Sequence, residues 1–271
     1  MLTEYSISDI ITSMPKEKRY YVGTFEETDN PKVDWPHRHN YYSFVWFTKG
    51  SGNNVIDFED YEIKNNRLFL MQPKQVHNWS YSKGTNGFII ILDSFFENIL
   101  PVELINITCI DLNKTTSNFF IPFLNNLIQE WKNNDELSEK IIMNGIRFLL
   151  YQLSRFSTKS TNIKSIKSKT LVQFSKLISN DISKNISVEQ YANNLHITAE
   201  KLSELCKKYY EQSPKQIILN TKITEAKRLL YFTNLSIKEI AYATGFEDSS
   251  YFSRVFKQKT KYSPSKFKST R

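Results

Sequence analysis

The sequence predicts a two-domain protein. Its front domain is all-β and followed by a helical hairpin. Its rear domain is all-α and holds two helix-turn-helix units joined by a linker helix. Three observations predict this. Strand-like runs crowd residues 20–92. Helical spacing replaces them after Asp93. Beyond residue 170 the chain resembles itself.

The strands come first. Tyr42 to Thr48 is aromatic and β-branched, and it runs into Lys49-Gly50-Ser51-Gly52, a turn. Shorter runs follow at Asn54–Phe58, Arg67–Met71 and Gly87–Leu92. Short strands so closely spaced fit a small barrel or sandwich rather than a βαβ sheet. Two apolar stripes come next: Phe120, Leu124, Leu127 and Trp131, then Ile142, Ile146, Leu149, Leu153 and Phe156. Both are narrow and heptad-like, and Lys132-Asn133-Asn134-Asp135 divides them, so an antiparallel hairpin over about 116–156 is expected. A narrow stripe suits packing on one other helix. That helix is either the hairpin's own partner or one from a second copy of the chain. Ser157 to Lys169 is polar and rich in Ser, Thr and Lys. The expected divisions are therefore 1–156, a linker at 157–170, and 171–271.

Charge is divided along the same lines. Residues 171–271 hold 17 Lys/Arg against 9 Asp/Glu, while residues 1–154 hold 14 against 19. A polyanion would be drawn to the rear part. No apolar run approaches the ~18 residues that span a bilayer, and the first 15 residues do not read as a signal peptide. Cys109 and Cys206 fit no metal or redox spacing, so a reduced, cytoplasmic setting is expected.

The repeat is the most specific signal. Ser187-Val188-Glu189-Gln190-Tyr191-Ala192 aligns with Ser236-Ile237-Lys238-Glu239-Ile240-Ala241 at an offset of 49. Leu202 to Lys207 aligns with Phe252 to Lys257, and Ser213-Pro214 with Ser263-Pro264, at an offset of 50. One residue has been gained in the intervening turn. Ser187 with Gln190, and Ser236 with Glu239, read as capping boxes that open short helices. Gly245 suits the sharp turn that follows, and His196 takes that place in the first copy. Longer helices follow, giving units at about 187–209 and 236–259. Between them Ser213-Pro214 opens a helix with the stripe Leu219, Ile223, Ala226, Leu230. Its roughly 18 residues would span about 27 Å and hold two recognition helices about one DNA turn apart.

Leu235-Ser236-Ile237-Lys238-Glu239-Ile240-Ala241, Gly245-Phe246, Ser250 to Lys257 and Ser263-Pro264 resemble the second helix-turn-helix of the AraC/XylS family of bacterial regulators. Ala226 to Leu230 is similar to the end of that family's linker helix. The first unit matches more loosely, with His196 for the usual Gly and Cys206 where Phe is common. In the front part, Pro36-His37-Arg38-His39, Gly50-Ser51-Gly52, Pro73 and His77 resemble the family's cupin-like sensor barrel. The resemblance implies transcription control on double-stranded DNA, a small-molecule effector, a homodimer formed through the helices after the barrel, and RNA polymerase as a further partner. It implies no enzyme activity and no cofactor.

By the same resemblance, Ser249, Ser250, Ser253 and Arg254 fall where family members read bases. Arg254 is the foremost candidate, because its fork can bond guanine O6 and N7 together. Lys257 reads as a phosphate contact. The corresponding face of the first unit carries Glu200, Ser203 and Glu204, with Lys201, Lys207 and Lys208 nearby and Thr198 as a phosphate candidate. Either its carboxylates accept from cytosine N4, or this unit binds weakly and leaves specificity to the second.

In the front domain Trp35, His37, His39, Trp46, His77 and Trp79 are candidate effector-binding residues. Three histidines could hold zinc. However, by resemblance to metal cupins, Ser43 stands where a carboxylate would be placed, and the resemblance to the sensor family, whose histidines there are commonly metal-free, implies no metal. Two alternatives remain: a front domain that binds a protein partner, and a metal-dependent cupin enzyme fused to a DNA-binding tail. No catalytic constellation stands out.

Overall fold

The structure is a computed structural model. It describes all residues except 1–2, 16, 26–35, 94–95, 97–99, 102–103, 105–106, 161–167 and 270–271. The chain divides into two compact units, Thr3–Ile163 and, chiefly, Lys164–Arg271. Among the described residues no helix is long and apolar enough to cross a membrane.

The front unit is β-rich. Its strands are β1 (Glu4–Tyr5), β2 (Tyr20–Thr24), β3 (Arg38–His39), β4 (Tyr41–Lys49), β5 (Gly52–Ile56), β6 (Glu59–Ile63), β7 (Arg67–Met71), β8 (His77–Tyr81), β9 (Asn86–Asp93) and β10 (Cys109–Asp111). A short helix, α1 (Ile7–Ile10), follows β1. Five strands form an antiparallel sheet in the order β10-β7-β4-β9-β2, three form a second sheet β6-β5-β8, and β1 pairs with β3. The expected β-rich front domain is present. Among the described residues its strands form separate sheets and do not close into a hydrogen-bonded barrel.

Strand alternation decides what each face of the large sheet meets. One face presents Phe44, Trp46, Leu68, Leu70 and Phe88 to the helical hairpin. The other presents Val45, Phe47, Phe69 and Met71 to Ile56 and Ile63 of the small sheet. The space between the sheets is filled by aromatic rings. Phe47 lies edge-on to Phe69 at 5.8 Å, and Phe69 is perpendicular to Trp79 at 5.3 Å.

The hairpin comprises α2 (Lys114–Asn133) and α3 (Ser138–Ser160). Asn113 caps α2 by accepting from the Thr116 N–H, and Asn134 ends it in the left-handed region. Gly145 lets the helices close up, since a Cβ there would fall 2.6 Å from Leu127 Cδ2. The stripe Ile142, Ile146, Leu149 and Leu153 is buried together with Phe120, Leu124 and Leu127, against the sheet. The seam is therefore internal to one chain. Of the two partners open to that stripe, the chain's own covers it and a second copy does not: lysines at Leu149 and Leu153 would land in the protomer's own core. α3 continues through Ser160, so the polar run expected as a connector begins helical. It contains no Pro or Gly to stop it.

The rear unit is all-helical: α4 (Lys169–Asn180), α5 (Val188–Asn194), α6 (Ala199–Tyr210), α7 (Pro214–Phe232), α8 (Ile237–Ala243), α9 (Ser249–Thr260) and α10 (Pro264–Lys268). It has two cores. Leu171, Phe174 and Ile178 of α4 pack with Tyr191, Ala192, Leu202 and Cys206. Ile223, Ala226, Leu229 and Leu230 of α7 pack with Ile240, Ala241, Phe252, Val255 and Phe256. α7 also lends Ile217 to the first core, so one helix is built into both. Ala192 and Ala241 are fully buried, where a small side chain permits a close helix crossing.

Candidate nucleic-acid interface

Each unit follows from its local sequence. The Ser187 hydroxyl accepts from the Gln190 N–H while the Gln190 side chain accepts from the Ser187 N–H, and Ser236 with Glu239 repeats the arrangement. The two short helices have 7 residues each and the two long ones 12 each. The extra residue lies between them: residues 195–198 form the first turn and 244–248 the second. Both turns use a left-handed residue, His196 at φ 55° and Gly245 at φ 72°. Thr198 caps α6 and Asp248 caps α9.

The inner faces of α6 and α9 enter their cores, and the polar faces look outward. On α9, Ser250, Arg254 and Lys257 are exposed, while Ser249 and Ser253 are half-buried. The Ser253 hydroxyl donates to the Ser249 carbonyl at 2.8 Å, which leaves its oxygen able to act as an acceptor. Tyr251 is 52% exposed on the same helix and escaped the sequence reading. The signal was available, because the repeat aligns it with Lys201, a residue that stays at the surface.

On α6, Glu200, Lys201, Glu204, Lys207 and Lys208 are exposed and Ser203 is half-buried. Both acids are held locally. Glu204 pairs with the Lys201 ammonium at 2.9 Å, and its carboxyl sits below the usual range for that reason. Glu200 is also lowered, first by its own backbone N–H and then by the Thr198 hydroxyl. The Thr198 hydroxyl already accepts from the Lys201 N–H at 3.2 Å, so capping occupies it.

In the front unit His37, His39 and His77 converge. The His37 ring lies 4.6 Å from that of His77, and His39 lies 4.8 Å from His77. His39 stacks on Tyr41 at 3.9 Å, and its Nδ1 donates to the Tyr41 carbonyl at 3.1 Å. Burial, and then the neighbouring His37, lower the His39 imidazole to about 3. Burial pushes His77 well down too, so both rings are neutral at neutral pH. Trp79 lies 6.0 Å from His77, at the edge of this group. Trp46 does not join it. It is on the opposite face of β4, stacked on Phe88 at 5.5 Å within the core under the hairpin. Trp35 lies outside the described residues. Among the described residues no group of three or more His, Cys, Asp or Glu is arranged to hold a metal ion.

Two capped helix-turn-helix units on one shared helix, in a unit rich in Lys and Arg, define a DNA-binding transcription regulator. Comparison with known proteins narrows the class. Residues 191–270 match the family described as a helix-turn-helix domain, and residues 21–95 match the AraC-like ligand binding domain. The chain is thus a member of the AraC family of regulators. It is 26% identical to the uncharacterized HTH-type transcriptional regulator YfiF of Bacillus subtilis, over 94% of this chain and 85% of that one. It is 34% identical to the HTH-type transcriptional activator Btr of the same organism over 79% of this chain, yet spans only 41% of that longer relative. A solved structure of ToxT from Vibrio cholerae is 17% identical, with a TM-score of 0.41, over 93% of this chain and 98% of that one.

Proposed function

We propose that this regulator reads its operator mainly through the second unit. Ser249, Ser250, Ser253 and Arg254 face bases, and Lys257 faces phosphate. The first unit adds phosphate contacts from Lys207 and Lys208, with Thr198, Lys201 and Ser203 beside the backbone. The carrying observation is electrostatic. Glu204 is paired with Lys201, and Glu200 is held by its own backbone N–H and the capping Thr198, whereas α9 contains no carboxylate that could pair with Arg254. The front domain takes a small-molecule effector, with His37, His39, His77 and Trp79 nearest to one another among the candidates. The setting is the cytoplasm, and contact with RNA polymerase completes activation. Footprinting with the full chain tests the reading. Log K should fall with log salt by about 0.9 per phosphate engaged, and salt-independent binding would overturn it.

A homodimer is part of this proposal, through the outer face of the hairpin. Phe119 is 51% exposed and Phe148 is 41% exposed, and with Phe123 their rings gather within 6.3 Å across α2 and α3. Ile141 and Tyr151 extend the patch along α3. Wild type should sediment as a dimer at micromolar concentration and Phe148→Lys as a folded monomer. A monomeric wild type, on and off DNA, removes the dimer.

A further inference from the structure

The two helix-turn-helix units meet at a buried amine. Lys222, midway along α7, is only 7% exposed. Its Nζ donates to the Lys184 carbonyl at 3.1 Å and to the Gly245 carbonyl at 3.1 Å. Lys184 lies in the loop that leads into α5 of the first unit, and Gly245 lies in the turn that leads into α9 of the second. The same ammonium stands 5.7 Å from the centre of the Phe246 ring. Beside it, Asn185 Nδ2 donates to Glu247 Oε1 at 3.1 Å, again joining loop to turn. The Ile182 carbonyl approaches so closely that a Cβ at residue 245 would sit 2.9 Å from it.

A lysine here needs a reason. Burying an ammonium is costly unless directed acceptors replace water. Desolvation does lower the Lys222 amine, and Glu247 partly opposes this. A methionine would fill the same space at no such cost. What lysine adds is a set of directed donors, two of which end on different units. α7 sets the axis along which the units are strung. It does not by itself fix how the turn before α9 sits against the loop before α5. The ammonium does.

We propose that Lys222 fixes the distance and rotation between the two recognition helices, and thereby the base-pair spacing the protein accepts between its two DNA subsites. It is a positioning residue and touches no DNA. The inference rests on the reading of α6 and α9 as DNA-binding helices. One inserted base pair shifts a subsite by about 3.4 Å and turns it by about 35°, a change that a rigid junction resists.

The test uses the full chain and a duplex selected with it from random sequence, plus duplexes with one base pair added or removed between the subsites. Wild type should lose roughly tenfold in affinity on either altered spacing, and Lys222→Met should lose less than about threefold. Both proteins should bind a duplex carrying a single subsite equally. A Lys222→Met protein that keeps the wild-type spacing penalty overturns the proposal, whatever its absolute affinity. If Lys222→Met does not fold, Asn185→Ala combined with Glu247→Ala loosens the same junction from its surface. That variant should reduce the spacing penalty, and an unchanged penalty overturns the proposal equally. A wild-type chain that binds no duplex fails differently: the DNA reading falls, and this inference with it.

Discussion

The two helix-turn-helix units have helices of equal length but differ in turn, core and outward charge. Unit 1 turns through His196 in four residues, and unit 2 through Gly245 in five. Cys206 fills the place in the first core that Phe256 fills in the second. Glu204 stands where Arg254 stands. The difference teaches that the scaffold and the reading surface are specified separately. Caps and buried alanines are held in common, while the outward positions even reverse in sign. Unit 2 also carries a constraint that unit 1 lacks, since the space beside residue 245 is taken by Lys222 Nζ and the Ile182 carbonyl.

The turn gives the largest expected contrast. Gly245→Ala combines a positive φ with a Cβ inside 3 Å of backbone, and should destabilise the rear unit by about 2–4 kcal/mol. His196→Gly, at the matching turn, should change stability by less than about 1 kcal/mol. Denaturant melts of both variants measure this, and equal losses would break the comparison. Next in size is base reading. Arg254→Ala should cost about 1–3 kcal/mol on the cognate duplex and relax preference at one or two base pairs. Glu204→Gln should tighten binding to cognate and random duplex alike, by removing a negative charge from the phosphate path. If Glu204→Gln instead loses selectivity at a cytosine, unit 1 reads bases as well. The smallest contrast should be no contrast: Ser187→Ala and Ser236→Ala should each cost about 1 kcal/mol. Unequal costs would mean that the two scaffolds differ beyond their turns.

Much of this was legible in the sequence because it is local. A capping box needs only residues three apart, and both pairs form as their spacing implies. The shift from an offset of 49 to 50 located the extra turn residue between α8 and α9. What escaped depends on partners distant in the chain. The stripe ending in Leu153 is indistinguishable by period from an intermolecular seam, and only the sheet beneath it shows that it is core. Trp46 and Trp79 look alike as strand aromatics, but alternation along β4 sends Trp46 under the hairpin. The Phe119, Phe123 and Phe148 rings come from two helices and have no single-helix signature. Lys222 reads as an ordinary surface charge until two carbonyls, 38 and 23 residues away in sequence, are seen to share it.

The sulfur in the first core has a practical consequence. Cys206 is fully buried, and desolvation pushes its thiol up to about 11. A thiol-modifying reagent can therefore reach it only when unit 1 opens, and the solvated thiol then reacts as an ordinary cysteine. Unit 2 has no sulfur among its core residues, and the other cysteine, Cys109, lies in the front unit. Labelling kinetics at Cys206 would thus time the breathing of one half of the rear unit without an engineered probe. Repeated with operator added, the same clock would report whether the bound duplex holds unit 1 shut or leaves it to fluctuate.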